Sequence, residues 1–211
     1  TSNTLGIVSY GNSYKLALRG GFLVFTLLGQ KDITNINGGF IPDSQWAHVA
    51  AAWNPGVGVD FFIDGVQNFV EYTNNSAARP ITNYFLSLGA ETTGNNFPGS
   101  LDRIRIHHAL LNGTEIDSVA GTPKAPLVST VISYDFNESA FPSTNAIAPA
   151  LPTFASSILL ESMSAPSWTN DTPSGLAGDY ALSFDRDQPI REFITADNSS
   201  NRINVGVNNT I

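Results

Sequence analysis

The stretch WAHVAAAWNPGVGVDFFIDG, residues 46–65, gives the clearest indication of the fold. Small residues alternate with larger ones from Trp46 to Trp53, as they do in a strand that is closely covered on one face. A second apolar run starts at Val59 and ends in Asp64-Gly65, a strong hairpin signal because glycine accepts the positive φ of a type I′ turn. Four large aromatic side chains of the stretch are expected in a protein core: Trp46, Trp53, Phe61 and Phe62.

Short apolar runs separated by turn residues continue on both sides of this stretch. The predicted strands are residues 5–10, 14–18, 22–28, 46–53, 59–64, 84–88 and 101–107. Gly, Asn or Pro lies between most of them, and this spacing is typical of a β sandwich. The composition agrees, because the 211 residues include 18 Gly and 12 Pro and only 13% are charged. We therefore expect an all-β fold, as one large domain or two small ones.

Four motifs in the first half recur in the order and spacing of a known family. They are residues 46–50, 61–66, 99–106 and 109–116. They resemble the signature of the laminin-G-like and concanavalin A-like family: a W-x-H-V-A strand, a D-G hairpin, a G-x-i-D-e-v-r-i strand and a closing A-L-x-x-x-E-I turn. Residues 1–119 thus look like the C-terminal two-thirds of such a domain. The resemblance implies an antiparallel two-sheet jelly-roll sandwich.

Residues 127–211 resemble the beginning of the same domain, and residues 120–126 are the predicted linker. Residues 131–138 look like the family's opening strand, 178–185 like a later strand and 202–207 like the short strand after it. The order of the two parts is therefore rotated. One apolar strand of the family pattern is also missing at the junction of the last part with the first.

The rotated order has two explanations. The segment can span the end of one repeat and the start of the next, with each half completed by a neighbour. Alternatively, it is a circular permutant whose halves fold on each other, which we favour because three isolated strands would leave an apolar face in water. Residues 131–136 should then pair beside residues 101–107 in one sheet. Within the long excursion predicted for residues 139–174, residues 158–160 should dock as an edge strand.

Charge and composition exclude several classes of partner. The net charge is −8 with only ten Lys and Arg, so no basic stripe is present to bind nucleic acid or an anionic membrane. No apolar run is long enough to predict a transmembrane helix, and the absence of cysteine removes any disulfide or thiolate site. The first residue is Thr1 and not Met, so we expect a processed product, a fragment or one repeat of a longer chain.

Glycosylation signals point to an extracellular or cell-surface location. Six acceptor sequons begin at Asn74, Asn112, Asn137, Asn170, Asn198 and Asn208, where chance would give about three or four. Such motifs matter only in a secreted chain. Asn74 and Asn170 are the favoured glycosylation sites, because both lie in polar stretches outside the predicted strands.

No catalytic residues are predicted, although the superfamily includes glucanases that work with paired carboxylates. The only partial match to their E-x-D-x-x-E pattern is Glu115 with Asp117. Thr114 before it looks like a helix cap with Asp117 three residues on. His48 of the W-x-H-V-A motif is expected to pack or to form a hydrogen bond in the sandwich. The chain is therefore predicted to be no enzyme and to require no cofactor.

The resemblance also implies candidate binding residues. Many relatives hold a structural Ca²⁺, and the positions that match here are Asp102, Asn137 and Glu138; surface carboxylates without a metal are the alternative. Exposed aromatic rings can stack on sugars. The candidates for such a ligand site are Trp168 in the polar loop at residues 167–170, then Phe97 and Tyr72.

Three function classes remain. A non-catalytic structural or adhesive module fits best, a lectin-like carbohydrate binder is the alternative, and a glycoside hydrolase fits least. The missing strand, roughly seven to ten residues long, should leave an apolar groove beside residues 202–207 that accepts a strand from another copy or from an extension of the chain. The expected donors are residues 1–4 and 208–211, and head-to-tail donation would form a fibre.

Overall fold

The structure is a computed structural model and describes residues 4–73, 86–91, 96–107, 109–120, 130–134, 136, 160–164, 166–185, 193–196 and 209–210. These residues form sixteen strands and one helix. The strands are β1 Thr4–Tyr10, β2 Tyr14–Arg19, β3 Phe22–Leu27, β4 Lys31–Thr34, β5 Val49–Asn54, β6 Gly58–Ile63, β7 Val66–Glu71, β8 Leu86–Leu88, β9 Gly99–Leu101, β10 Ile104–His107, β11 Thr130–Tyr134, β12 Leu160–Ser164, β13 Ser167–Thr169, β14 Ala181–Phe184, β15 Phe193–Ala196 and β16 Asn209–Thr210. The helix is α1 Gly113–Val119.

The strands form three sheets, and every described pair of strands is antiparallel. The first sheet has the order β12-β15-β8-β1-β2-β3-β4, and the second has the order β11-β10-β16-β5-β6-β7. A third, smaller sheet, β13-β14-β9, was not predicted. The predicted all-β sandwich is confirmed.

Each sheet contains strands from both parts of the chain. β11 lies beside β10 with the register Ile104↔Tyr134, and this pair confirms the predicted pairing of residues 131–136 with residues 101–107. β12 forms an edge of the first sheet and begins at Leu160, the last residue of the predicted edge strand at residues 158–160, whose other two residues lie outside the described residues. Strands that are far apart in sequence thus share a ladder, as in β14 with β9, where Leu182 pairs with Leu101.

The D-G turn between β6 and β7 is confirmed. Asp64 and Gly65 have φ values of 48° and 80°, as a type I′ turn requires, and Ile63 pairs with Val66 across it. The strand predicted from residue 46 begins only at Val49. Directly before it, the His48 N–H donates to the Asp64 side chain at Oδ1 (2.8 Å), and the His48 C=O accepts from the Asp64 N–H at 2.9 Å.

The main core fills the space between the first and second sheets. Trp53, Phe61 and Phe62 are buried as predicted. Trp46 is not in the core: it is half-buried, and its indole N–H donates to Asp171 Oδ1 at 3.1 Å. The prediction that Trp46 lies in the core was wrong because this residue comes before the start of β5.

The helix α1 covers the outer face of the second sheet. A separate cluster of buried residues lies there: Ala50, Ala52, Phe62, Leu111 and Ile116. A capping box starts the helix, in which Asn112 Oδ1 accepts from the Glu115 N–H and Glu115 Oε2 accepts from the Asn112 N–H. The cap is therefore Asn112 and not the predicted Thr114. No helix among the described residues is long and apolar enough to cross a membrane.

The strand predicted over residues 101–107 is divided into β9 and β10, which belong to different sheets. Arg103 between them has a positive φ of 50°. Its guanidinium lies 3.4 Å from the Asp102 carboxylate and forms a second ion pair with Asp179. The side chains of all three residues are buried, so the bend between β9 and β10 is joined to the loop after β13 by charge as well as by packing.

Candidate functional site

The second sheet is interrupted between two of its strands. β16 lies between β5 and β10, but it consists only of Asn209–Thr210 and pairs with one end of each neighbour. Beyond those pairs, no strand that the structure describes lies between Val49–Ala51 of β5 and Ile104–Ile106 of β10. We call this space the strand gap. A space of this kind between two strands of one sheet is a position that a further strand can take.

A cavity of about 580 Å³ occupies the strand gap. Since a water molecule takes up about 30 Å³ in the liquid, this space corresponds to about twenty waters, whereas protein interiors contain few voids larger than one. The cavity is therefore much larger than an ordinary packing void.

The cavity passes through the plane of the second sheet. On the inner side its walls are side chains of the first sheet and the adjoining loop: Ile7, Val8, Leu16, Leu18 and Ile41. On the outer side it reaches Ile116, Asp117 and Ala120 at α1. A side chain entering from the plane of the sheet would thus meet an apolar floor on one face and the helix on the other.

Side chains along β5 and β10 alternate between the two faces of the second sheet. This alternation shows toward which face each wall residue points. Ala51 and Ile106 belong to the main core cluster between the sheets. Ala50 belongs to the cluster under α1. Because neighbouring residues of a strand point to opposite faces, His107 and Arg105 share the outer face with Ala50, and Ile104 shares the inner face with Ala51.

Two histidines line the outer side of the strand gap, and burial favours their neutral forms. Burial lowers the pKa of His48, and the carboxylates of Asp64 and Asp117 partly offset this shift. Burial and then the Arg105 guanidinium lower the pKa of His107 to about 4. At neutral pH both imidazoles are therefore uncharged, and a backbone can approach them without displacing the solvent shell of a cation.

Of the three predicted calcium ligands, only Asp102 lies among the described residues. Asp102 is buried beside the Arg103 guanidinium, which competes with a divalent cation for the carboxylate. Asn137 and Glu138 lie outside the described residues, in which no group of three or more His, Asp or Glu side chains could hold a metal.

The three aromatic candidates are all half-buried against the main core. Trp168 lies in β13 and not in a polar loop, so its predicted location was wrong. Tyr72 lies under Lys31, with the Nζ atom 5.5 Å from the ring centroid. Only Phe97 of the three lines the cavity of the strand gap.

Two of the sequon asparagines lie on the described surface. Asn112 is exposed, and its Oδ1 takes part in the cap of α1. Asn170 is exposed in the bend after β13. The other four lie outside the described residues: Asn74, Asn137, Asn198 and Asn208.

The wall residues of the strand gap were not singled out in the sequence. A groove was expected beside residues 202–207, which lie outside the described residues. The gap lies in line with β16, and its walls are β5 and β10. One sequence feature could have indicated these walls: the predicted pairing of residues 131–136 with one edge of residues 101–107. That pairing leaves the other edge of the same strand for a further strand.

The described geometry defines a β-sandwich domain with an interrupted sheet. The family model described as the Concanavalin A-like lectin/glucanases superfamily matches residues 1–117, which is more than half of the chain. The chain belongs to this superfamily. Neither the curated proteins nor the solved structures include a significant match to it.

Proposed function

We propose that the chain is a non-catalytic extracellular or cell-surface module with a structural or adhesive role, which binds a partner polypeptide by taking one of its segments as a strand. The strand gap supports this proposal. It combines two strand edges that face each other across a sheet with a cavity of about 580 Å³ over an apolar floor. This is the arrangement that β-strand addition uses, with backbone hydrogen bonds for affinity and side-chain pockets for specificity.

The walls favour a polypeptide over a small polar ligand. Each apolar side chain that is fully buried on the floor contributes about 1.5–3 kcal/mol, and each backbone hydrogen bond adds about 0.5–1.5 kcal/mol net. A strand between β5 and β10 forms such bonds on both sides. A ligand without a peptide backbone would leave the polar groups of both edges to water.

The remaining features agree with a secreted module that carries out no chemistry. Glu115 belongs to the only partial match to a glucanase motif in the sequence. Its carboxylate caps α1 by accepting from the Asn112 N–H. Asn112 and Asn170 are exposed, as acceptors of N-linked glycans must be.

The donor segment belongs to a partner polypeptide. The described parts of the predicted donors are already paired within the chain, since Thr4 pairs with Arg19 in β1 and β2 and Asn209 pairs with Trp53. Sedimentation of the purified chain at high concentration shows whether another copy can still be the donor. Head-to-tail oligomers would identify the partner as a second copy, and a monomer would exclude it.

Peptide binding tests the proposal. The probe is a fluorescein-labelled peptide, Lys-Val-Thr-Val-Thr-Val-Thr-Lys, titrated with the chain and followed by fluorescence anisotropy. Saturable binding is expected, and Ala47→Trp should abolish it because Ala47 lines the cavity. Val57→Trp is the matched control, since Val57 is 48% exposed and does not line the cavity.

A second peptide with N-methyl groups on the threonine residues has the same side chains but loses backbone donors. It should bind at least tenfold more weakly. Equal binding of both peptides, or binding that survives Ala47→Trp, would overturn the proposal.

A lectin-like function is the second candidate, because Phe97, Gln45 and Asp64 line the same cavity and offer a ring with polar neighbours. A glycan array decides between the two. Specific glycan binding that is lost in Phe97→Ala, together with no binding of the peptide, would favour the lectin.

A further inference from the structure

We infer that two copies of the chain pair through the edge strand β7 of each, antiparallel and centred on Phe69, so that their second sheets join into one. The inference names a further interaction surface and its partner, a second copy of this chain. It goes beyond the proposed function and does not rest on the strand gap. It follows from the exposure of β7, from the direction of its backbone groups and from the position of its single charge.

β7 is the last strand of the second sheet, and no strand among the described residues pairs with its other edge. Its register with β6 runs without a shift from Gly58↔Glu71 to Ile63↔Val66, so no bulge bends the edge. The strand also contains neither proline nor lysine. Bulges, prolines and lysines are the usual protection of an edge strand against pairing, and β7 lacks all three.

Apolar side chains are exposed along this edge. Val66 is 65% exposed and Phe69 is 49% exposed. Ile36, which is 66% exposed, follows Asn35, whose Oδ1 accepts from Asn68 Nδ2 of β7 at 2.5 Å. Three of the seven large apolar side chains that are exposed among the described residues therefore lie here. A second protein surface over them would remove apolar area from water.

The backbone of β7 directs every second residue toward β6. The two-residue D-G turn makes the pair that flanks it a hydrogen-bonded pair. At the other end of the strand, the Tyr72 N–H donates to the Val57 C=O at 3.0 Å, in the same alternation. The residues in between direct their N–H and C=O groups away from β6. They are Gln67, Phe69 and Glu71, and Phe69 is their centre.

This pattern determines the register of two β7 strands. All the outward groups are used when Phe69 lies opposite Phe69 of the partner subunit and Gln67 lies opposite Glu71 of the partner subunit. Each of the three pairs exchanges two backbone hydrogen bonds, so the contact contains about six. A shift of two residues in either direction would place an end of β7 opposite Gly65 or Thr73, and both of these lie outside the strand.

The charges of the edge agree with the same register. Glu71 is the only charged residue of β7. Its carboxylate would face the amide of the partner's Gln67 and no other carboxylate, since paired residues share a face of the sheet. One N–H of that amide donates to Asp60 Oδ1 at 2.8 Å, and the second N–H is left to donate across the contact.

The resulting dimer is closed. A two-fold contact uses the same surface of both copies, so it stops at two, whereas head-to-tail strand donation continues. The net charge of −8 on each copy opposes association, and added salt should therefore strengthen the dimer by screening that repulsion. If the proposed function holds as well, the dimer carries two strand gaps and gains avidity for a partner with two binding segments.

Sedimentation equilibrium tests the dimer on the whole chain, from about 5 to about 500 µM, since an edge contact of this size belongs to the weak class below about 1,200 Å². The mean mass should rise from 22.5 kDa toward twice that value and no further. Gln67→Glu should raise the dissociation constant about fivefold, because it places two carboxylates opposite Glu71 of the partner subunit and the reverse. Adding Glu71→Lys to Gln67→Glu should restore the dimer, which a loss of folding would not allow.

A disulfide tests the register, because the chain contains no cysteine. Directly opposite residues of a hydrogen-bonded pair have Cα atoms about 5.5 Å apart, a distance that a disulfide spans. Oxidation should therefore link Phe69→Cys to itself in a covalent dimer. Gln67→Cys is the matched control on the same face, because the two copies of residue 67 lie four positions apart along the strands, at about 14 Å.

Each outcome has a definite reading. A monomer at about 500 µM, or equal association of the wild type and Gln67→Glu, would overturn the dimer. Growth beyond two copies would overturn the two-fold contact, and a disulfide that forms in Gln67→Cys and not in Phe69→Cys would overturn the register. Peptide binding to Gln67→Glu separates this inference from the proposed function: a monomeric variant that binds the peptide leaves the strand gap intact, and a dimer that binds none leaves β7 pairing intact.

Discussion

Replacement of His107 by glutamine should make the stability of the protein less sensitive to pH between 7 and 5. The side chain is 2% exposed. Its pKa is lowered to about 4 by burial and by Arg105, from an ordinary value of 6.5. The unfolded chain therefore binds a proton at this residue more readily than the folded one. As the pH falls below about 6.5, the folded state loses stability until the pH reaches about 4.

The magnitude follows from the two pKa values. At pH 5 the unfolded imidazole is protonated in a ratio of about 30 to 1, whereas the folded one is about nine-tenths neutral. The difference corresponds to about 2 kcal/mol of the free energy of unfolding. At pH 7 the same residue contributes about 0.2 kcal/mol in this direction. More than half of the full effect, which is about 3.4 kcal/mol for a shift from 6.5 to about 4, thus falls between pH 7 and pH 5.

Urea denaturation at pH 7 and pH 5 measures the effect. The free energy of unfolding should fall by about 2 kcal/mol more in the wild type than in His107→Gln. Asp32 does not disturb the comparison, because the stability from its lowered pKa is lost only as the pH falls below about 4. Equal losses in the two proteins would refute the assignment of a buried neutral imidazole at His107, as would an NMR titration midpoint near 6.5.

Asp179→Asn should lower the free energy of unfolding by about 3 kcal/mol in urea, since it leaves the buried Arg103 with one carboxylate fewer. Asp32→Asn, at a pair about one-third exposed, should cost less than about 1 kcal/mol, and equal costs would contradict the distinction. In unglycosylated protein, Asn112→Ala should cost about 1 kcal/mol through the lost helix cap, and an unchanged denaturation midpoint would contradict that cap. Protein secreted from a eukaryotic host should exceed 22.5 kDa in intact-mass analysis, and Asn170→Gln should remove one glycan; an unmodified mass would refute glycosylation.

Local features of the fold were predictable because their chemistry is local. Asp64-Gly65 specifies its turn by backbone conformation alone. The strands β4 and β7 were missed for the opposite reason. Both are edge strands that contain many polar residues, as Lys31–Thr34 shows, so neither presents a continuous apolar run.

The break in the strand over residues 101–107 could not be read from its own sequence. It depends on the ion pair of Arg103 with Asp179, 76 residues away. The position of Trp46 likewise depends on Asp171, which accepts its indole hydrogen bond from the other part of the chain. Such contacts become visible only when both parts of the chain are in place.

The candidate site, too, was predictable only in part. The prediction of a missing strand came from the family pattern, because that pattern fixes the order of the strands. The walls of the gap and the neutral state of His48 and His107 were not predictable, because they depend on which residues are buried together. The packing of the three aromatic candidates, Tyr72, Phe97 and Trp168, against the core was likewise not predictable from local sequence.

Hydrogen exchange along β5 and β10 tests the central claim most directly. The quantity compared is the summed exchange rate of the amides of Val49–Ala51 and Ile104–Ile106. With the alternating Val-Thr peptide bound, this rate should be at least tenfold lower than in the chain alone. The edge strand β7, Val66–Glu71, is the internal control and should not change. Slower exchange in β7, or an unchanged rate in both walls of the gap while peptide is bound, would contradict a strand in the gap.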